Sequence, residues 1–116
     1  MKKEITKLKK DYIHALTKSQ TYLSSGKTMK SQKQFVKGST IFNDLCDCGK
    51  EGETFIKEIA IGENYPLAII SSMLLLDFDK EKATFYLKRI IKKKIAGYSF
   101  FAQQVLEQDR GSREKC

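Results

Sequence analysis

One proline, one histidine, three cysteines and no long hydrophobic run are what this 116-residue chain has to work with. Each shortage excludes something. A single Pro and seven Gly leave little turn material for a many-stranded β sandwich. Three cysteines, an odd number, do not make a disulfide scaffold. The longest apolar stretch, Leu67–Leu76, is interrupted by Ser71 and Ser72 and falls short of the roughly 20 residues a membrane helix needs. The basic N-terminus lacks the apolar stretch of a signal peptide. The expectation is a cytoplasmic protein with no membrane partner.

Catalytic and metal chemistry are equally thin. His14 is the only histidine, so no Ser/His/Asp set can be assembled around it. It lies beside the apolar stripe of the first helix, where a structural or surface role suits it. Cys46-Asp47-Cys48 suggests metal binding, but a structural zinc site takes four ligands and Cys116 brings no second pair. The glycines at 26, 38, 49, 52, 62, 97 and 111 never form a phosphate-cradling loop. Glu51 and Glu53 sit at a turn, where they read as favourable charges at a helix N-terminus. The expectation is a protein that is not an enzyme, with no metal and no cofactor.

What is present is helical periodicity. Hydrophobic residues make up 41% of the chain, enough for a core and too many for a disordered tail. Ile5, Leu8, Tyr12, Ala15, Leu16, Ser19 and Leu23 recur at three and four and predict a helix over about 3–24. A second helix over 27–48 carries the stripe Met29, Phe35, Val36, Ser39, Phe42, Leu45 and Cys46. Gly38 interrupts it at a cost of about 1 kcal/mol against Ala, and Gly49 suits a left-handed stop. A short third helix fits 53–61, with Phe55, Ile56, Ile59 and Ala60 inward. Pro66 suits the first turn of a fourth helix, 67–76, which is apolar on nearly every side and so belongs at the centre. Asp79 can cap a fifth helix, 80–94, with Ala83, Leu87, Ile90 and Ile91 inward. A sixth, 98–108, buries Tyr98, Phe101, Ala102, Val105 and Leu106. The prediction is an all-α protein of five to six helices in stacked antiparallel hairpins, forming an α-solenoid or a compact bundle. It is one domain over 1–108 with a polar, frayed tail at 109–116.

Charge is segregated. The net charge is +8, but residues 1–37 carry ten Lys and two acids, 38–79 two Lys and eight acids, and 80–96 seven basic residues and one acid. An acidic middle therefore lies between two basic ends. Solvated helix faces explain such segregation. A partner surface made by Asp44, Asp47, Glu51, Glu53, Glu58 and Glu63, with Tyr65 as an aromatic anchor, explains it equally and would suit a basic protein. The basic ends could bind nucleic acid through phosphates, yet the first helix has no Arg and no base-reading constellation, so no sequence-specific nucleic acid is expected.

Asp79-Lys80-Glu81-Lys82-Ala83-Thr84-Phe85-Tyr86-Leu87-Lys88-Arg89-Ile90 resembles a recurring stretch of small bacterial HEAT-like proteins, in which a capped helix start precedes Ala, Leu and Ile at helical spacing. Gly97 followed by Phe100-x-Ala102-x-x-x-Leu106 is similar to their closing helix. Phe55 to Ile59, Asn64 and the apolar helix after it fit their central hairpin. The resemblance spans roughly residues 5–108. Where the family often shows Val-Arg and Ala-Ala on the fourth helix, this chain has Leu67-Ala68 and Ser71-Ser72. The family, long a domain of unknown function, includes immunity proteins of contact-dependent growth-inhibition and polymorphic toxin systems. The resemblance implies a HEAT-like fold and an immunity protein that covers the active site of a cognate toxin domain, such as a nuclease. A nucleic-acid-binding module and a helical scaffold are the alternatives.

Overall fold

A computed structural model of the chain describes residues 5–114, with side chains described through 108. Six α-helices follow one another: α1 (Ile5–Ser24), α2 (Thr28–Asp47), α3 (Lys50–Ala60), α4 (Tyr65–Leu75), α5 (Lys80–Lys92) and α6 (Tyr98–Glu114). There is no strand among the described residues. The protein is all-α, with the larger of the two helix counts expected.

The boundaries follow local chemistry. Gly49, at φ +72°, ends the turn after α2 in the left-handed region that glycine adopts without penalty. Pro66 occupies the first turn of α4, where no intrahelical N–H is missed. The Asp79 carboxylate accepts from the Lys82 N–H at 3.2 Å and so caps α5. The sixth helix does not stop at 108; it continues through Glu114 across most of the predicted tail. Residues 115 and 116 lie outside the described residues.

The chain divides into two compact units, Met1–Glu58 and Ile59–Cys116. In unit one, α1 and α2 form an antiparallel hairpin. Leu8, Tyr12, Ala15 and Leu16 face Ile41, Phe42 and Leu45, all buried. The Tyr12 ring sits 6.2 Å from both Phe42 and Phe55, the latter edge-on, which ties α3 to the hairpin.

The α2 stripe differs from the one its apolar residues suggest. Met29 and Val36 are exposed, and Phe35 and Ser39 only half-buried, whereas Ser31 and Gly38 are buried. Small residues make this crossing. A Cβ on Gly38 would lie 2.8 Å from Cδ2 of Leu16, so the mid-helix glycine is where α1 comes nearest. Leu23, expected inward on α1, is also exposed.

Unit two is a three-helix group. Ala68, Ile69 and Leu76 meet Ala83, Leu87 and Ile90 of α5 and Ala102 and Val105 of α6. Every residue from Leu67 to Ser72 is buried, as the helix's apolarity predicts, while Met73, Leu74 and Leu75 are only half-buried. The buried Ser72 hydroxyl donates to the Ala68 carbonyl at 2.8 Å, which lets a polar side chain sit in an apolar environment. Ser99 fastens α6 to the end of α5: its hydroxyl accepts from the Ile95 N–H and donates to the Ile90 carbonyl, both at 2.8 Å. Tyr98 and Phe101, expected to be buried, are exposed. They lie on the first turn of α6, ahead of the Ala102–Val105 contact.

Candidate functional site

Five of the seven sequence-predicted partner residues belong to unit one, four of them at the α2–α3 corner. Two glycines shape that corner. Gly49 reverses the chain, and Gly52 lets the first turn of α3 press on the end of α2. A Cβ at residue 52 would overlap the Leu45 carbonyl oxygen. Asp47, Glu51 and Glu53 are exposed there, and Asp44 is half-buried; Glu58 is exposed at the far end of α3.

The carboxylates do not share one stripe. Glu51 and Glu58, seven residues apart, project from the same side of α3. Glu53 leaves the helix on another side, and its charge reaches Cys46. The Cys46 thiol is pushed above its ordinary value of 9.0, first by burial, then by the negative charges of Asp47 and Glu53. Glu51 and Glu53 also occupy the first turn of α3, and Lys57 its last turn, each the favourable sign for the helix dipole. Lys50 and Lys57 share the helix with these acids, so the corner is acidic on balance rather than purely anionic.

Glu63 and Tyr65 belong to unit two. Glu63 is exposed in the turn before α4. Tyr65, expected as a free anchor, is half-buried and already engaged. Its ring lies 5.8 Å from that of Tyr98, and the Lys93 ammonium sits 5.8 Å from its centre. An interface role for Tyr65 would work through the exposed rim of this small cluster.

Other candidates are placed as follows. His14 is exposed on α1. Cys46 and Cys48 are free and half-buried. Among the described residues no group of three or more His, Cys, Asp or Glu could hold a metal ion. No helix among them is long and apolar enough to cross a membrane. Of the residues quoted for the resemblance, Phe55, Ala83, Leu87, Ile90 and Ala102 are buried, Leu106 is half-buried, and Phe100 is exposed. Leu67, Ala68, Ser71 and Ser72, the positions that depart from the family pattern, are all buried.

Sequence reasoning passed over Gly52. Its only signal was its position, three residues past the Gly49 turn and among charged neighbours.

Comparison with known proteins gives no match: no family model, no curated protein and no solved structure is significantly similar to this chain.

Proposed function

We propose that the protein is an immunity protein that binds a cognate bacterial toxin domain, of which a nuclease is the example that best fits the charge, and covers its active site. The observation that carries this reading is the α2–α3 corner. In a chain of net charge +8, it gathers exposed Asp47, Glu51 and Glu53 around a turn fixed by two glycines, and exposed Glu58 extends the acidic run along α3. A nuclease cleft is basic because it holds phosphates. An array of carboxylates on a rigid corner can stand in for those phosphates, speeding encounter and fixing orientation. The resemblance of roughly residues 5–108 to small bacterial HEAT-like proteins, a family that includes immunity proteins, supports the same reading.

The experiment is co-expression with the toxin domain encoded by the neighbouring reading frame. The expected outcome is restored growth and a complex that survives size-exclusion chromatography. A toxin that kills undiminished, with no complex at micromolar concentration, contradicts the reading.

A further inference from the structure

The outward side of α5 carries a pattern that the toxin reading leaves unused. Lys82, Phe85, Lys88 and Lys92 recur at three, three and four along the helix and are all exposed, with half-buried Arg89 beside them. The opposite side of α5, through Ala83, Leu87 and Ile90, fills the core of unit two. Phe85 is 62% exposed. Among the described residues no carboxylate pairs with Lys88, Arg89 or Lys92, while Lys82 lies 3.8 Å from Asp79. One exposed ring, packed edge-on against Tyr86 at 5.9 Å, is therefore held in a line of cations about 15 Å long, at 1.5 Å per residue.

We propose that this face binds single-stranded nucleic acid without sequence preference, the cations tracking successive phosphates while a base stacks on Phe85. The chemistry of the face selects this occupant. Cations spaced along a helix suit a polyanion, and an exposed ring between them suits a base, whose flat face every nucleotide offers. A bilayer surface demands a continuous apolar stripe opposite the charges, and here the apolar content of the outward face is a single ring. The face presents no Asn or Gln to read base edges, so binding is indifferent to sequence. The inference rests on unit two alone and stands or falls independently of the toxin reading.

The chain contains no tryptophan, so Phe85→Trp places the sole tryptophan at the stacking position, excited at 295 nm apart from the tyrosines. Its emission is titrated with a 12-nucleotide oligo(dT), and anisotropy of a labelled oligo(dT) follows the parent, Phe85→Ala and Lys88→Glu/Lys92→Glu. Circular dichroism confirms that each variant is folded. The expected results are quenching of the Phe85→Trp variant, affinity that falls steeply with salt, and a loss of about tenfold in Phe85→Ala, within the range for one lost base stack. Charge reversal abolishes binding. Three results overturn the proposal: Phe85→Ala binds as tightly as the parent, a duplex of equal length binds as tightly as the single strand, or phosphatidylglycerol vesicles bind where oligo(dT) does not.

Discussion

Ser19 and Ser31 exchange hydrogen bonds across the α1–α2 crossing. The Ser19 hydroxyl donates to the Ser31 carbonyl at 3.0 Å, and the Ser31 hydroxyl to the Ser19 carbonyl at 2.8 Å, with both side chains buried. Each donor serves a carbonyl on the other helix, so the pair fixes the register of the hairpin as well as satisfying itself. Ser19→Ala and Ser31→Ala should each cost about 1 kcal/mol, the usual net value of one hydrogen bond. The two hydroxyls also lie 3.1 Å apart, so the double variant should depart from the sum, as neighbours in one hydrogen-bond network do. Urea unfolding at constant m-value measures this. A Ser31→Ala variant as stable as the parent would mean the pair is incidental to packing.

The two buried glycines should respond differently to alanine. At Gly38 the new methyl meets the side chain of Leu16, itself fully buried. Overpacking of this kind costs about 1–3 kcal/mol, and the helix propensity of Ala returns about 1 kcal/mol. A modest net loss is expected. At Gly52 the methyl meets the Leu45 backbone carbonyl, which cannot rotate aside. Gly52→Ala should cost about 3 kcal/mol or more, or displace α3 from the end of α2. Thermal unfolding ranks the two, and equal effects would contradict the close approach at Gly52.

Core depth along α4 gives a third test. Ile69 is fully buried and Leu74 half-buried. Ile69→Ala should cost about 2–5 kcal/mol and Leu74→Ala clearly less. The reverse order, read from denaturant midpoints, would place the centre of unit two elsewhere.

How far the sequence foretold this depends on which residues make each contact. The helices of unit two were legible because Pro66, Asp79 and Gly97 punctuate them and because Ala83, Leu87 and Ile90 bury apolar groups at helical spacing. The α2 stripe was misjudged because its contact with α1 is made by Ser31 and Gly38, which a search for apolar periodicity passes over, while Met29 and Val36 face solvent. The acids were legible as a cluster. The division of Glu63 and Tyr65 from the other five was not, since charge counts along a chain say nothing about where its contacts separate. Nor could they show that Tyr65 is held by Tyr98 and Lys93.

The acidic corner has a chemical reporter in Cys46. Burial and the charges of Asp47 and Glu53 hold its thiol above the ordinary value of 9.0. The folded state therefore keeps the proton more tightly than the unfolded one. This group's contribution to stability is flat below the unfolded pKa and declines as pH rises through it. Asp47→Asn with Glu53→Gln should lower the thiol toward its ordinary value without reaching it, because burial is the larger cause. Alkylation of Cys46 by iodoacetamide at pH 8, followed by mass spectrometry, should accelerate, because more of the thiol is then ionised. An unchanged rate would show that the carboxylates lie too far from Cys46 to matter.

Charge reversal at the corner tests the proposed function most directly. Glu51→Lys, Glu53→Lys and Glu58→Lys are combined, and the association rate with the toxin domain is measured by stopped flow at low and physiological salt, alongside protection of growing cells. All three side chains are exposed, so helix content should hold and stability should shift by about 0.5 kcal/mol or less per site, plus a small loss from the altered first-turn charges of α3. The account predicts association at least about tenfold slower at low salt, a difference that shrinks as salt rises, and loss of protection. A folded triple variant that associates and protects as the parent does would contradict it.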